Sequence, residues 1–394
     1  MPPTVTRVEC IEFTYSIENM GEPGDSFYPG YSQGSSLDRT VLAIRIETDT
    51  EHVGTYVSLN SPPGPALEQI HLIAPYLVGK NPLERERHWS QFKMNLRKYD
   101  RMGIGPIDIA LWDFAGKYYG APVHELIGTY RKKLPTYAST AFGDEEGGLD
   151  SPEAYADFAE DCLERGYPAF KIHGWRAEEA SVDVEREVET IHAVGERVGA
   201  DMDLMYDPVG QLETFADAWK TGKACDEQEY LWWEDPSRDF GTSQHGSRRL
   251  GDLIDTPLLQ TEHIRGLEPH TDFAVNDGTE YLRADPEYDA GITGVLKIAR
   301  MAEGLGLDVE IHICGPAQRQ LLATIRNSNY YEIGLMHPDH PVTHNPPIYN
   351  SGYSDGIDAI DDDGCAYVPD APGVGVSYDW DFIRENSVNK VHFD

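Results

Sequence analysis

The sequence predicts an α/β protein: a (β/α)8-type barrel preceded by an α+β domain. Three observations carry this. From about residue 133, short apolar strands alternate with amphipathic helices, and eight such strands can be marked out. Before that point a β-meander is followed by helices. Nearly every strand after the first of the eight ends on a polar, chemistry-bearing residue, as the open face of a barrel demands.

Residues 1–60 read as β. VTRVECIEFTYSIE and TVLAIRIETDTEHVGTYVSL carry β-branched residues with partial alternation. Between them MGEPGDSFYPGYSQGSSLD is rich in Gly, Ser and Pro. It predicts a long loop over 14–37 that closes over the site, with Tyr28 and Tyr31 as candidate substrate contacts. ALEQIHLIAPYLVG, PLERERHWSQFKMNLRKY and PIDIALWDFAGKYYG read as helices, so residues 1–132 form an N-terminal α+β domain. The barrel is expected over 133–350, on LPTYAST, AFKIHG, DLMYDP, YLWWED, PLLQTEH, YLRADPE, DVEIHI and YYEIGL. In ITGVLKIARMAEGLGL, Val295, Ile298, Ala299, Ala302 and Leu305 recur at helical spacing and predict one buried face. Residues 351–394 are loop-rich; the DDD run reads as a solvated turn, and part of this tail is expected to pack back on the first domain.

Hydrophobic residues make up 40% of the 394, enough for a large core. Asp and Glu number 68 against 32 Lys and Arg, giving a formal net charge of -36. The acid is spread along the chain. With no basic stripe to meet phosphates, nucleic acid and anionic membranes are excluded as expected partners. Such a surface repels itself at low salt, which points to a high-salt cytoplasm where counterions screen it. The five Cys are scattered, with no CxxC, so neither a disulfide framework nor a zinc knuckle is expected; they read as small buried residues. MPPTVTRVECIEF has no continuous apolar stretch and predicts no signal peptide, and no apolar run reaches membrane-spanning length.

The chemistry gathers at the strand ends. Side chains two apart on a strand share a face, so Lys171 and His173 of AFKIHGW are both expected to point into the barrel mouth, with Trp175 lining the wall. Asp207, Glu234 and Glu262 end three consecutive strands, 27 and 28 residues apart. Three converging carboxylates repel unless a cation joins them, and an all-oxygen set suits Mg²⁺ better than zinc. Asp285 and His312 end the next two strands, where an Asp beside a His would orient the ring and support an imidazolium. Glu332 in NYYEIG reads equally as general acid, substrate contact or structural carboxylate.

The ordered series KIH, MYDP, WWEDP, QTEH, RADPEYDAGITGVLKIA, EIHICGPA and YYEIG, with GIGPIDIALWDFAGKYYGAPVHELIG before it, resembles the enolase superfamily, in its mandelate racemase-like branch. The resemblance covers nearly the whole chain. It implies a (β/α)7β barrel with an N-terminal capping domain completed by the C-terminus. It puts Asp207, Glu234 and Glu262 at the Mg²⁺ ligands and Asp285 and His312 at a His–Asp dyad. Lys171 matches the first Lys of the family's KxK motif, which neutralises the substrate carboxylate. The second Lys is replaced by His173, and imidazole has a reference pKa of about 6.5 against about 10.4 for the ammonium.

The resemblance implies abstraction of a proton α to a carboxylate through an enediolate. With a β-hydroxyl present, dehydration of a sugar acid to a 2-keto-3-deoxy acid is the expected outcome; without one, racemisation or epimerisation is the alternative. A metal-dependent hydrolase on the same barrel would want an HxH in the first barrel strand, and LPTYAST has no His. A compact domain docked on a barrel is expected to assemble into a homo-oligomer.

Overall fold

A computed structural model of the chain describes residues 2–21, 29–175, 182–238, 241–340 and 345–394. The first sheet is antiparallel, built from β1 (Val5–Met20), β2 (Tyr31–Thr48) and β3 (Val53–Ser58). Its outer strand is β13 (Ser387–Phe393), whose residues pair with Val8–Phe13 of β1. Three helices follow: α1 (Pro63–Leu77), α2 (Arg85–Asn95) and α3 (Ile104–Tyr119).

The second sheet is parallel and curled. Its strands are β4 (Lys133–Thr140), β5 (Ala169–Ile172), β6 (Asp203–Tyr206), β7 (Trp232–Glu234), β8 (Leu258–Gln260), β9 (Tyr281–Ala284), β10 (Asp308–Ile311) and β11 (Tyr331–Met336). They are the eight strands expected from the sequence, and they form the barrel. The ladder runs β11-β4-β5-β6-β7-β8-β9-β10. Across the remaining seam, between β10 and β11, side chains tie the strands. Glu310 accepts from the Asn329 (3.0 Å) and Tyr330 (3.3 Å) amides, and Glu332 accepts from the Ile313 amide at 2.8 Å. The short strand β12 (Cys365–Tyr367) adds antiparallel to β4.

The segment expected as a loop over 14–37 is mostly strand. β1 and β2 continue as a long hairpin in which Ser16 faces Asp38, Ile17 faces Leu37 and Glu18 faces Ser36. The alternation of buried Tyr15 and Ile17 with polar neighbours outweighs the Gly and Ser content of the returning strand. Leu305 is also corrected: it is 47% exposed, because the helix Gly291–Leu305 ends there, on Gly306 in the left-handed region. The DDD run is more than a solvated turn. Asp361 accepts from the Cys365 amide and pairs with Lys133 at 2.7 Å, fastening the tail to the start of β4. Four of the five cysteines are buried, and Cys365 is half-buried.

Docking of the first domain on the barrel depends on α3 and on one carboxylate. Gly105 lies so close to the loop after β9 that a Cβ there would sit 2.3 Å from the Glu287 carbonyl. Gly291, at φ +86°, similarly makes room for Asp108, which accepts from the Thr293 amide (2.9 Å) and hydroxyl (2.7 Å). Glu287 is buried in that interface. It accepts from the Tyr56 and Ser58 hydroxyls and from the amides of Leu59, Asn60 and Ser61, at 2.5–3.0 Å. Ordering five donors around one anion fixes the end of β3 and its following turn over the open face of the barrel.

Candidate active site

The period of two along each strand builds the site in layers. Tyr137, Ala169, Met205, Trp232 and Leu259 face inward and close the barrel with an apolar plug. Two residues further on stand Ser139, Lys171, Asp207, Glu234 and Thr261, all buried. The same step from Tyr281 and Tyr330 leads to Arg283 and Glu332. The interior thus changes from apolar to charged in one layer.

The charges in that layer are sorted. Arg283 is fully buried and holds Glu234 with two parallel bonds, Nε–Oε1 and Nη2–Oε2, both 2.5 Å; it also donates to the Tyr137 hydroxyl at 3.1 Å. Lys171 Nζ lies 2.9 Å from Glu234 Oε2, 3.0 Å from Glu332 Oε1 and 3.5 Å from Asp207 Oδ2. Burial opposes the ammonium, but the Glu234 and Glu332 carboxylates outweigh it and raise its pKa well above the usual lysine value. Burial likewise opposes the Glu332 carboxylate, and Lys171 and Arg283 overcome it, so its pKa lies well below the usual range. Two cations and two anions form a nearly neutral quartet.

Above it opens a small cavity lined by Asp207, Asp235, Glu262, Glu332, His173, His263 and His312, with Arg39 and Asn60 reaching in from the first domain. The two imidazoles expected at the site are held alike. His173 Nδ1 lies 2.6 Å from the Thr140 carbonyl, to which it donates, and its Nε2 lies 3.2 Å from Asp207 Oδ2. His312 Nδ1 lies 2.6 Å from Asp285 Oδ2, and its Nε2 lies 3.4 Å from Glu262 Oε1. Burial works against His312 protonation, yet Glu262 and Asp285 carry its pKa up to about 9.

The backbone around this cavity is unusual. Val209, Asp235, Thr261 and Ile313, each just past a strand end, have φ of 49°, 34°, 93° and 55°. Three of the four are β-branched, for which the left-handed region costs on the order of 1–3 kcal/mol each. Strain gathered at the ends of β6, β7, β8 and β10 marks this as the face where geometry is set for function.

Residues 154–382 match the enolase C-terminal domain-like family, and residues 31–128 match the mandelate racemase/muconate lactonizing enzyme N-terminal domain. The chain belongs to the enolase superfamily. Within this superfamily it is 27% identical over 381 residues to a D-galactarolactone cycloisomerase of Agrobacterium fabrum, covering 91% of this chain and 94% of that one. It is 24% identical over 290 residues to an N-succinyl-L-Arg/Lys racemase of Bacillus cereus, covering 71% and 74%. A crystal structure of D-glucarate dehydratase from Agrobacterium tumefaciens complexed with magnesium superposes with a TM-score of 0.85 at 28% identity, over 98% of this chain and 99% of that one. Enolase-superfamily relatives of this chain thus include an acid-sugar dehydratase, a racemase and a lactone cycloisomerase.

The superfamily implies a divalent cation, and the donor set fits one. Asp235 is 1% exposed, and among the described residues neither of its carboxylate oxygens has a hydrogen-bond partner. Burial, with Glu262, Glu234 and Asp207 close by, raises its pKa well above the usual range. Apart from His263, whose Nε2 lies 3.4 Å from its Oδ2, Asp235 is set among anions; that is costly, and a hard dication held by oxygen ligands relieves it. Ligand atoms of Asp235, Glu262 and His263 all lie within 4.8 Å of one another. Glu234, by contrast, is drawn toward Arg283 and Lys171.

Other candidates from the sequence stand elsewhere. Trp175 is packed behind β5: Gly174, at φ +63°, turns the chain, and the indole donates to Thr190 at 2.9 Å, stacks with Arg186 and is absent from the cavity lining. Tyr31 stacks on His337, centroids 4.0 Å apart, and does not line the cavity either. Tyr28 lies outside the described residues. Sequence reasoning missed Asp235, Arg283, Arg39 and Asn60. Asp235 was visible beside Glu234 in WWEDP, and Arg283 stands two before Asp285, on the inward face of its strand.

Proposed function

We propose that this enolase-superfamily protein is a hydro-lyase: it removes the proton α to the carboxylate of a sugar acid and eliminates the β-hydroxyl to give a 2-keto-3-deoxy acid. The observation that carries this reading is the pair of imidazoles, His173 and His312, each fixed through Nδ1 and each presenting Nε2 to one acid-lined cavity. One imidazole takes the α-proton, and the electron pair left on the α-carbon moves into the carboxylate to form an enediolate. Its return expels hydroxide, which leaves as water with a proton from an imidazolium, and the enol tautomerises to the ketone. His312 is suited to the donor role, since Asp285 supports its imidazolium. Lys171, held beneath the cavity by Glu234 and Glu332, would lend positive charge under the substrate carboxylate rather than contact it from the lining.

Asp207, Glu234 and Glu262 would hold Mg²⁺, with Asp235 beside them. Mg²⁺ bound there would supply the positive charge that stabilises the enediolate. The two imidazoles also support a second reading, racemisation or epimerisation, in which the opposite ring returns the proton. The test is a screen of C5 and C6 sugar acids with the Mg²⁺-supplemented protein in multimolar KCl, a medium suited to its acidic surface. Accumulation of a 2-keto acid is expected. Epimer formation without any 2-keto acid would overturn dehydration in favour of the second reading.

A further inference from the structure

We infer that His263 adds a nitrogen donor to the cation site of this cavity, so that the site takes first-row transition dications such as Co²⁺ more tightly than Mg²⁺; the inference rests on the dication reading above and concerns which ions the site prefers. Among the described residues, the one group of His, Cys and acidic side chains whose ligand atoms gather within 4.8 Å of one another is Asp235, Glu262 and His263. All three line the cavity. His263 Nε2 lies 3.4 Å from Asp235 Oδ2 and 3.5 Å from Glu262 Oε1. An ion drawn to both carboxylates is therefore within reach of the ring nitrogen.

On a regular strand, consecutive side chains point to opposite faces. Glu262 and His263 escape that rule because Thr261, at φ 93°, has already turned the chain. The Thr261 hydroxyl donates to the Arg283 carbonyl at 2.9 Å and accepts from the Arg283 amide at 3.0 Å, which pins the turn to β9. Asp235, at φ 34°, leaves the end of β7 in the same way. The surrounding charges then separate the acids. Glu234 has Oε1 on Arg283 and Oε2 on both Arg283 and Lys171, so cations of the protein already balance it. Asp235 is 1% exposed, and among the described residues its oxygens have no hydrogen-bond partner, so it gains most from a dication. Asp235 and Glu262 together match the charge of such an ion, and a neutral imidazole beside them makes a mixed oxygen and nitrogen set. Imidazole suits the later first-row dications, whereas Mg²⁺ favours oxygen and keeps much of its water.

The experiment measures dissociation constants for Mg²⁺, Mn²⁺ and Co²⁺ by titration calorimetry on the metal-stripped full chain in multimolar KCl. Electron spin echo envelope modulation is recorded on the same chain loaded with Mn²⁺. Affinity is expected to rise in the order Mg²⁺, Mn²⁺, Co²⁺, and the Mn²⁺ spectrum to show a directly bound nitrogen. His263→Gln is expected to abolish the nitrogen coupling and to weaken Co²⁺ at least ~10-fold, a loss usual even for groups that stand behind the ligands, with a much smaller change for Mg²⁺. The coupling should survive in His173→Gln and in His312→Asn, which leaves His263 as its source even if His263→Gln does not fold. Mg²⁺ bound as tightly as Co²⁺, a native spectrum without nitrogen, or a coupling that persists in folded His263→Gln overturns the inference and leaves the dication reading standing; His263 is then an imidazolium paired with Asp235 and Glu262. A chain that binds none of the three ions overturns both.

Discussion

Replacing His312 with Asn is expected to lower turnover by about 10²–10⁴-fold, the range over which a positioned general acid or base contributes. The amide can still occupy the space beside Asp285, but it cannot carry a proton at the position of Nε2. Far-UV circular dichroism and Mg²⁺ affinity should stay close to those of the parent. Full activity in this variant would remove His312 from the chemistry. His173→Gln serves as the companion. If the two rings work on opposite faces of the substrate, it should impair reaction of one α-epimer far more than the other. Equal loss with both epimers would reduce His173 to a positioning role.

Arg283→Met is expected to destabilise the fold by ~3–5 kcal/mol, the usual consequence of removing one partner from a buried ion pair. Arg283 is wholly enclosed, and its loss leaves Glu234 facing Lys171 alone and removes a charge 3.8 Å from Glu332. Denaturant midpoints at fixed KCl give the measurement. Adding Glu234→Gln to Arg283→Met should recover part of the loss, because the orphaned charge goes with its partner. A loss under ~1 kcal/mol would mean that water reaches this layer and that the quartet is not buried in solution. Arg283→Lys should fall between, since an ammonium keeps the charge but cannot form the fork.

The barrel was legible because its strands are short apolar runs bounded by turns, and because the inward positions advance in steps of two from an apolar plug to charged residues. That same step put Lys171 and His173 on one face, and both are found over the apolar plug. The cavity's upper wall was not legible. Arg39 and Asn60 reach the site only because Glu287 draws the end of β3 onto the barrel, a contact between residues more than 220 positions apart. Gly and Ser in YSQGSSLD suggested a loop, yet pairing with β1 holds these residues in a hairpin. Trp175 was expected to line the wall, but Gly174, at φ +63°, turns the chain so that the indole packs behind β5. Asp235 escaped notice for a related reason: it follows the last residue of β7, where its positive φ takes over from strand alternation.

On the proposed reading, the acids of this cavity hold a dication, and the imidazoles beside them move a proton on and off the α-carbon of a sugar acid. Proton NMR in D2O, following loss of the α-proton signal from D-glucarate, galactarate and their monoacid counterparts, tests it most directly. Exchange or elimination is expected with Mg²⁺ present, to stop on addition of EDTA and to return when Mg²⁺ is restored in excess. An α-proton signal that persists for every acid with Mg²⁺ bound, or that disappears as fast in EDTA as without it, would contradict the account.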